Sequence, residues 1–154
     1  MHLIVFAFLI GVIAGLRAFT APAAVSWAAR LGWLSLAGTP LAFLGFKATP
    51  WILTALALFE LVNDQLPKTP SRKVPAQFIP RVLFGAMCGA AIGASLDSLW
   101  LGLVCGAIGA IAGTPGGAAV RGKLAAAFGK DLPAGLLEDV VALVGATLIV
   151  AHTA

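Results

Sequence analysis

Apolar residues run along the chain in long blocks, at about residues 2 to 22, 49 to 66, 79 to 96, 98 to 113 and 132 to 152. Each approaches the roughly 20 residues a helix needs to cross a bilayer, and in lipid a spanning segment satisfies its backbone only as a helix. Five transmembrane helices are therefore predicted. Two more segments, about 23 to 36 and 116 to 130, are rich in Ala and Gly but carry Arg30 in one and Arg121, Lys123 and Lys130 in the other. These read as interfacial or re-entrant helices. Thr20 and Pro22 mark a helix break after the first block, and Thr114, Pro115, Gly116 and Gly117 mark another after the fourth, because proline removes a backbone donor and glycine weakens a helix. Between Pro67 and Pro80 four prolines fall in fourteen residues, which predicts an extended connector that is not helical throughout.

The composition agrees with this pattern. Of 154 residues 60% are hydrophobic and only 10% charged, and the mean hydropathy is +1.02, whereas soluble domains carry about 25% charged residues. The expected fold class is all-α: a polytopic transmembrane helix bundle forming a single domain over residues 1–154, with no soluble domain appended. The apolar stretch after Met1 lacks the positive n-region of a secretory signal and is expected to be a retained first helix. The net charge of +4 comes from bases between apolar runs, where they set topology and do not call for nucleic acid. Lys68, Arg72, Lys73, Arg81, Arg121, Lys123 and Lys130 fall on one side of the five-span arrangement, against Arg30 and Lys47 on the other. The positive-inside rule then makes the first side cytoplasmic, with the N-terminus inside and the C-terminus outside a bacterial inner membrane. On this assignment Trp27, Trp33, Trp51 and Trp100 gather near the outer interface, where amphipathic rings are favoured. Cys88 and Cys105 read as small buried hydrophobes.

A repeat lies beneath the pattern. Gly11-Val-Ile-Ala-Gly15 recurs as Gly109-Ala-Ile-Ala-Gly113 at an offset of 98, each copy followed by a breaking stretch and an Ala-rich segment. Phe59-Glu60-Leu-Val62 matches Leu137-Glu138-Asp-Val140 at an offset of 78. With one unpaired helix at about 79–96 between the units, residues 2–66 and 98–152 should enter the membrane in opposite directions, the inverted-topology design of many secondary transporters.

Five features carry a family resemblance: Gly15-Leu-Arg17-Ala-Phe19 at the end of the first helix, the Glu60, Asp64, Pro67 spacing, the Arg81 start of the third helix, Leu137-Glu138-Asp139-Val140 in the last, and the Pro-rich connector. Over nearly its whole length the chain resembles the bacterial family of small integral membrane proteins catalogued as domain of unknown function 4126. The resemblance implies the fold class and the candidate residues without naming a substrate.

The charged residues inside apolar runs are the candidate site. Glu60, Asn63 and Asp64 share one helix face. Glu60 sits at depth, where a charge costs about 2.5 to 3.5 kcal/mol and usually marks an ion or proton pathway, while solvation at the interface competes as the reading of Asp64. Glu138 lies on a stripe of Ala134, Gly135, Ala142, Gly145 and Ala146 and points into the bundle; a structural pair with Arg121 competes with a transport role. Asp139 is expected to face Arg121, Lys123 or the cytoplasmic surface. Arg17 either snorkels to the outer interface or binds an anion with the amides opening the next helix, and the same logic exposes amides at Thr114–Gly117 before Arg121. The glycine stripes at 85, 89 and 93, at 102 and 106, and at 109 and 113 predict close helix packing and a homodimer. No metal-ligand cluster is evident, and the two histidines, His2 and His152, are expected on opposite sides. No enzyme activity, cofactor or metal is expected. The expected function is transport of a small ion or solute by alternating access, with Glu60 and Glu138 handling ions or protons and the lipid bilayer as surroundings. A passive channel and a structural subunit of a larger membrane complex are the alternatives.

Overall fold

The computed structural model describes residues 1–66 and 74–154, and its regular structure among these is entirely helical. The helices are α1 (His2–Leu16), α2 (Thr20–Arg30), α3 (Thr49–Asn63), α4 (Pro75–Ala94), α5 (Leu99–Phe128) and α6 (Asp131–Ala151), with one 3-10 turn at Ala42–Gly45. Three of them, α4, α5 and α6, are long and apolar enough to cross a membrane. α1 and α3, within the other two expected spans, have 15 residues each.

The second expected helix break does not exist. α5 runs for 30 residues straight through Thr114, Pro115, Gly116 and Gly117, so residues 116–130 are mostly its continuation. Thr114 turns its hydroxyl back onto the Ala110 carbonyl at 2.9 Å, and Pro115 removes only one helical hydrogen bond. In apolar surroundings no water replaces the others, so the helix persists. α4 likewise starts at Pro75, where the missing N–H is harmless, and holds Pro80 inside it. The connector is thus helical from Pro75; its residues 67–73 lie outside the described residues. The first break is real but falls at residues 17–19, where Arg17 is extended (φ −140, ψ 116). Thr20 and Pro22 belong to the first turn of α2, whose N–H groups lack helical partners anyway.

Glycines set the packing of α1, α4 and α5. Gly11 lies on Gly106, Gly15 on Ala110 and Gly113, and Gly109 and Gly113 on Phe8 and Val12, so closely that an added Cβ would overlap the facing backbone. Because the partners rise together in number, α1 and α5 run parallel. Gly85, Gly89 and Gly93 meet Gly106, Gly102 and Ser98 in descending order, which makes α4 antiparallel to α5. Small residues let these backbones touch, and dispersion over that contact holds the three helices together. The stripes pack within one chain, and the argument they gave for a homodimer goes with them.

The repeat has a different geometry from the one expected. Gly11 on Gly106 and Gly109 on Phe8 exchange under the 98-residue shift, so the two copies are related by a two-fold axis along the helices, not across them. Beyond the copies the halves diverge. Phe19 stacks near Phe84 (5.1 Å between centroids), and Val25 and Ala28 share the core with Cys88, Ala91 and Ile92, so α2 descends along α4, against α1. α3 then climbs back, with Thr54 bonded to Trp27 and Glu60 to the amides of Ala18 and Phe19. α6 descends instead: Asp139 meets Arg17, and the His152 ring lies 6.2 Å from that of Phe6. α3 therefore parallels α1 whereas α6 opposes α5, and one rotation cannot relate residues 2–66 to residues 98–152. Only the first copy is followed by a chain reversal.

Successive helices thus alternate in direction, and both termini reach one end. His2 and His152 both approach Phe6, which corrects their expected placement on opposite sides. Arg30, Lys47 and the four tryptophans belong to that end, while Arg81, Arg121, Lys123 and Lys130 belong to the other half; Lys68, Arg72 and Lys73 lie outside the described residues. The N-terminus consequently sits with the tryptophans and not with the bases.

Two measurements check this arrangement. In a variant with Cys88 and Cys105 changed to Ala, cysteines placed at positions 2 and 152 should react with an impermeant thiol reagent from the same face; reaction from opposite faces contradicts the helix directions. Gly106→Val should wedge α5 from α1 and α4 and cost about 3 kcal/mol, the upper end of overpacking. Gly116→Ala, whose Cβ meets nothing within 4 Å, should leave thermal stability unchanged or raised.

Candidate functional site

α1, α2 and α3 all end or begin at one layer, and α4, α5 and α6 pass through it. Asp139 stands eight residues into α6 from Asp131, so the charged layer reaches about 12 Å down from that end of the bundle. Here five of the chain's six acids meet three of its arginines.

Arg17 is the centre. Its side chain has no solvent exposure, and an uncompensated buried guanidinium is prohibitively costly. Compensation comes from two helices, α6 and the end of α3. Its Nε donates to Asp139 Oδ1 at 2.7 Å and a terminal nitrogen contacts the same oxygen; the other terminal nitrogen reaches Asp64 at 2.5 Å, and Glu138 lies 3.5 Å away. The extended backbone at Arg17 also exposes the next amides. Glu60 on α3 takes them, accepting from Ala18 N at 2.7 Å and Phe19 N at 2.9 Å, and its carboxylate neutralises the positive end of α2.

Two further arginines complete the layer. Arg81, 2% exposed, donates to the Gly15 carbonyl and to Gln77 and stands 3.5 Å from Glu60. Arg121 holds Asp131 at 2.6 Å and Asp64 at 2.5 Å, with Glu138 at 3.4 Å. Gln65 donates to Asp139 Oδ2 at 2.9 Å.

All six charged candidates, Arg17, Glu60, Asp64, Arg121, Glu138 and Asp139, therefore come together, though several face unexpected partners. Arg17 does not snorkel; the anion at the following amides is the chain's own Glu60. Asp64 is not merely solvated but bridges Arg17 and Arg121. Asp139 faces Arg17 and Gln65, not Arg121 or the surface, because α6 descends beside α1. Glu138 does meet Arg121, yet Arg121 has closer partners. Thr114, Pro115, Gly116 and Gly117 present no free amides, being helical. The sequence reading missed Arg81, Gln65 and Asp131 as members. Arg81 had a usable signal, a base inside an apolar run; Asp131 reads from sequence only as a helix-start acid.

Beside the layer, α1, α5 and α6 enclose an apolar cavity of about 410 Å³, with Arg121 and Glu138 as its charged lining.

Residues 4–154 match the family described as Domain of unknown function (DUF4126). The chain belongs to the DUF4126 family. No curated protein and no solved structure matches it. The match spans every residue of the layer, from Arg17 to Asp139, so the cluster lies wholly within this DUF4126 domain.

The contacts to Arg17 differ in length, with Asp139 held closely and Glu138 at 3.5 Å. Asp139→Asn weakens the tightest support of a cation with no access to water and should cost about 3 kcal/mol. Glu138→Gln leaves Arg17 with Asp64 and Asp139, so Arg17 stays compensated and the change should cost less than Asp139→Asn, about 1 kcal/mol. Denaturation of the purified variants checks the order; Glu138→Gln as the more damaging change would contradict it.

Proposed function

We propose that this DUF4126 protein is a small membrane transporter of an ion or small solute, with the buried charge layer as its exchanging site. The observation that carries this reading is the position of Glu138. Among the described residues it is the one acid of the layer that lines the cavity, it stands 3.5 Å from Arg17 and 3.4 Å from Arg121, and it is 8% exposed. When it is neutralised Arg17 keeps Asp64 and Asp139, and Arg121 keeps Asp64 and Asp131, and intramembrane acids that face a cavity mark ion and proton paths. Glu60, bonded to two backbone amides, has a supporting role in this reading: it fixes the break between α1 and α2.

We further place the protein in a bacterial cytoplasmic membrane, following the family resemblance, with the end bearing Arg121, Lys123 and Lys130 inside. Both termini then lie outside, the reverse of the sequence expectation for the N-terminus. The rival reading is a purely structural network that fixes helix register.

One mutant separates the two. In proteoliposomes carrying a pH-sensitive dye and an imposed gradient, Glu138→Gln should reduce proton movement at least about tenfold, the weight of a residue needed in the exchange step, while the protein stays folded. Unchanged flux, or destabilisation repaired by Arg121→Met, would leave the structural network as the answer.

A further inference from the structure

We propose that the cavity between α1, α5 and α6 holds one acyl chain of an anionic phospholipid whose headgroup sits at Lys123. The inference concerns binding alone and does not rest on the transport reading.

The shape comes first. The cavity holds about 410 Å³ and is walled by Val12 and Leu16 on α1, Gly116 and Val120 on α5, and Leu137 and Val141 on α6. On α5 its lining runs from Ala112 to Leu124, about 18 Å of helix, against roughly 15 Å for one leaflet of a hydrocarbon core about 30 Å thick. A volume of this size drawn out over that length is a slot, which suits an extended chain better than a compact body. Leu137, Val141 and Val120 are 44%, 51% and 58% exposed, so the slot opens sideways on the flank that faces lipid. At Gly116 an added Cβ would meet nothing within 4 Å; the glycine makes no close helix contact there and widens the slot. Arg121 and Glu138 also line it, but they stand 3.4 Å apart with side chains 11% and 8% exposed, which leaves the walls almost wholly apolar.

The headgroup follows from the charges at one end of the slot. Lys123 comes seven residues after Gly116, which returns it to within about 20° of the same face of α5, and it is exposed. It therefore stands at the mouth of the slot, toward the α5–α6 turn that carries the exposed Lys130. Among the described residues neither lysine forms an ion pair. Five of the chain's six acids belong to the charge layer, and Asp97 occupies the α4–α5 turn at the opposite end of the bundle. An apolar slot of one leaflet's depth that ends at unpaired cations reproduces the order of groups in a phospholipid, chain first and phosphate after. A zwitterionic head would bring its own cation to Lys123, whereas an anionic head would not. A free phosphate would reach the lysine but leave the apolar walls unused.

The test counts lipids on the full chain by native mass spectrometry after delipidation in detergent, with dioleoyl phosphatidylglycerol, dioleoyl phosphatidylcholine and inorganic phosphate as probes. Wild type should retain one phosphatidylglycerol at least about fivefold more tightly than phosphatidylcholine, the weight of one lysine near a membrane surface. Lys123→Gln, a change at an exposed side chain that leaves the packing alone, should erase that preference and leave phosphatidylcholine binding as it was. Gly116→Phe, which fills the slot, should weaken both lipids at least about tenfold, or 1.4 kcal/mol. Should that variant unfold, Val120→Trp narrows the same slot from an exposed position and should act alike. Gly122→Phe is the matched control, since Gly122 also has open space around its Cβ but does not line the slot, and it should bind as wild type does. Equal retention of the two lipids by wild type overturns the proposal. A preference that survives Lys123→Gln places the headgroup elsewhere and overturns it too, as does binding that survives closure of the slot. Inorganic phosphate that displaces phosphatidylglycerol shows an anion site with no use for the chain, which also overturns it. The proton-flux measurement on Glu138→Gln is independent of all these results.

Discussion

A guanidinium sealed from water inside an apolar bundle is the constraint on which the rest of this structure depends. Arg17 cannot be solvated and cannot lose its charge, so carboxylates must be brought to it. Asp139 arrives on α6, Asp64 at the end of α3, and Glu138 one residue before Asp139. Each of those helices is thereby fixed in height. α1 stops where Arg17 needs extended backbone, and the amides released by that stop require an acceptor of their own, which is Glu60. The α1 break, the end of α3 and the depth of α6 are three consequences of one buried cation.

A second constraint works through the absence of side chains. α5 carries two sets of glycines with opposite effects. At 102, 106, 109 and 113 they admit the backbones of α4 and α1, and no larger residue fits. At 116 an added Cβ would meet nothing within 4 Å, and the glycine lines the cavity between α1, α5 and α6. The same residue type that makes one flank of α5 the tightest part of the fold leaves a cavity on the other. Thr114 marks the boundary: it is fully buried, at the level where α1 gives way to the charge layer.

Much of this was legible in the sequence, and the failures have a common source. The apolar blocks, the charged residues at depth, the glycine stripes and the separation of bases from tryptophans all follow from local composition, which one residue or one window can report. Helix direction cannot be read that way. It depends on the number of reversals before a given point, so each misjudged break inverts everything between it and the next. The stretches after Gly15 and after Gly113 look equally disruptive, yet only the first contains a residue that needs a non-helical backbone to bury its charge. Thr114 and Pro115 have no such demand, and their helix continues. Reading residues 23–36 as an interfacial segment, and not as the pass α2 that reverses the chain, made α1 and α5 antiparallel, which in turn inverted the repeat and put His2 and His152 apart. Partners across the layer, such as Asp139 for Arg17, depend on those directions and were misassigned for the same reason.

The position of the layer along the bundle also bears on how a solute would reach it. Asp139 lies about 12 Å from the start of α6, and roughly 18 Å of the same helix continues below it. That lower part is closed by Leu34, Leu36 and Leu44, from the segment joining α2 to α3, packed with Ile92 and Val150 in the buried core. A path along the bundle axis would have to separate that whole core, at a cost set by its apolar area. The flank between α5 and α6 is different. Its wall residues already face lipid, and Glu138 stands immediately behind them. For a molecule dissolved in the bilayer, the lateral approach needs no core residue to move, whereas a hydrated ion gains nothing from it. On the transport reading, the packing below the layer and the opening beside it therefore select together for a solute that partitions into lipid.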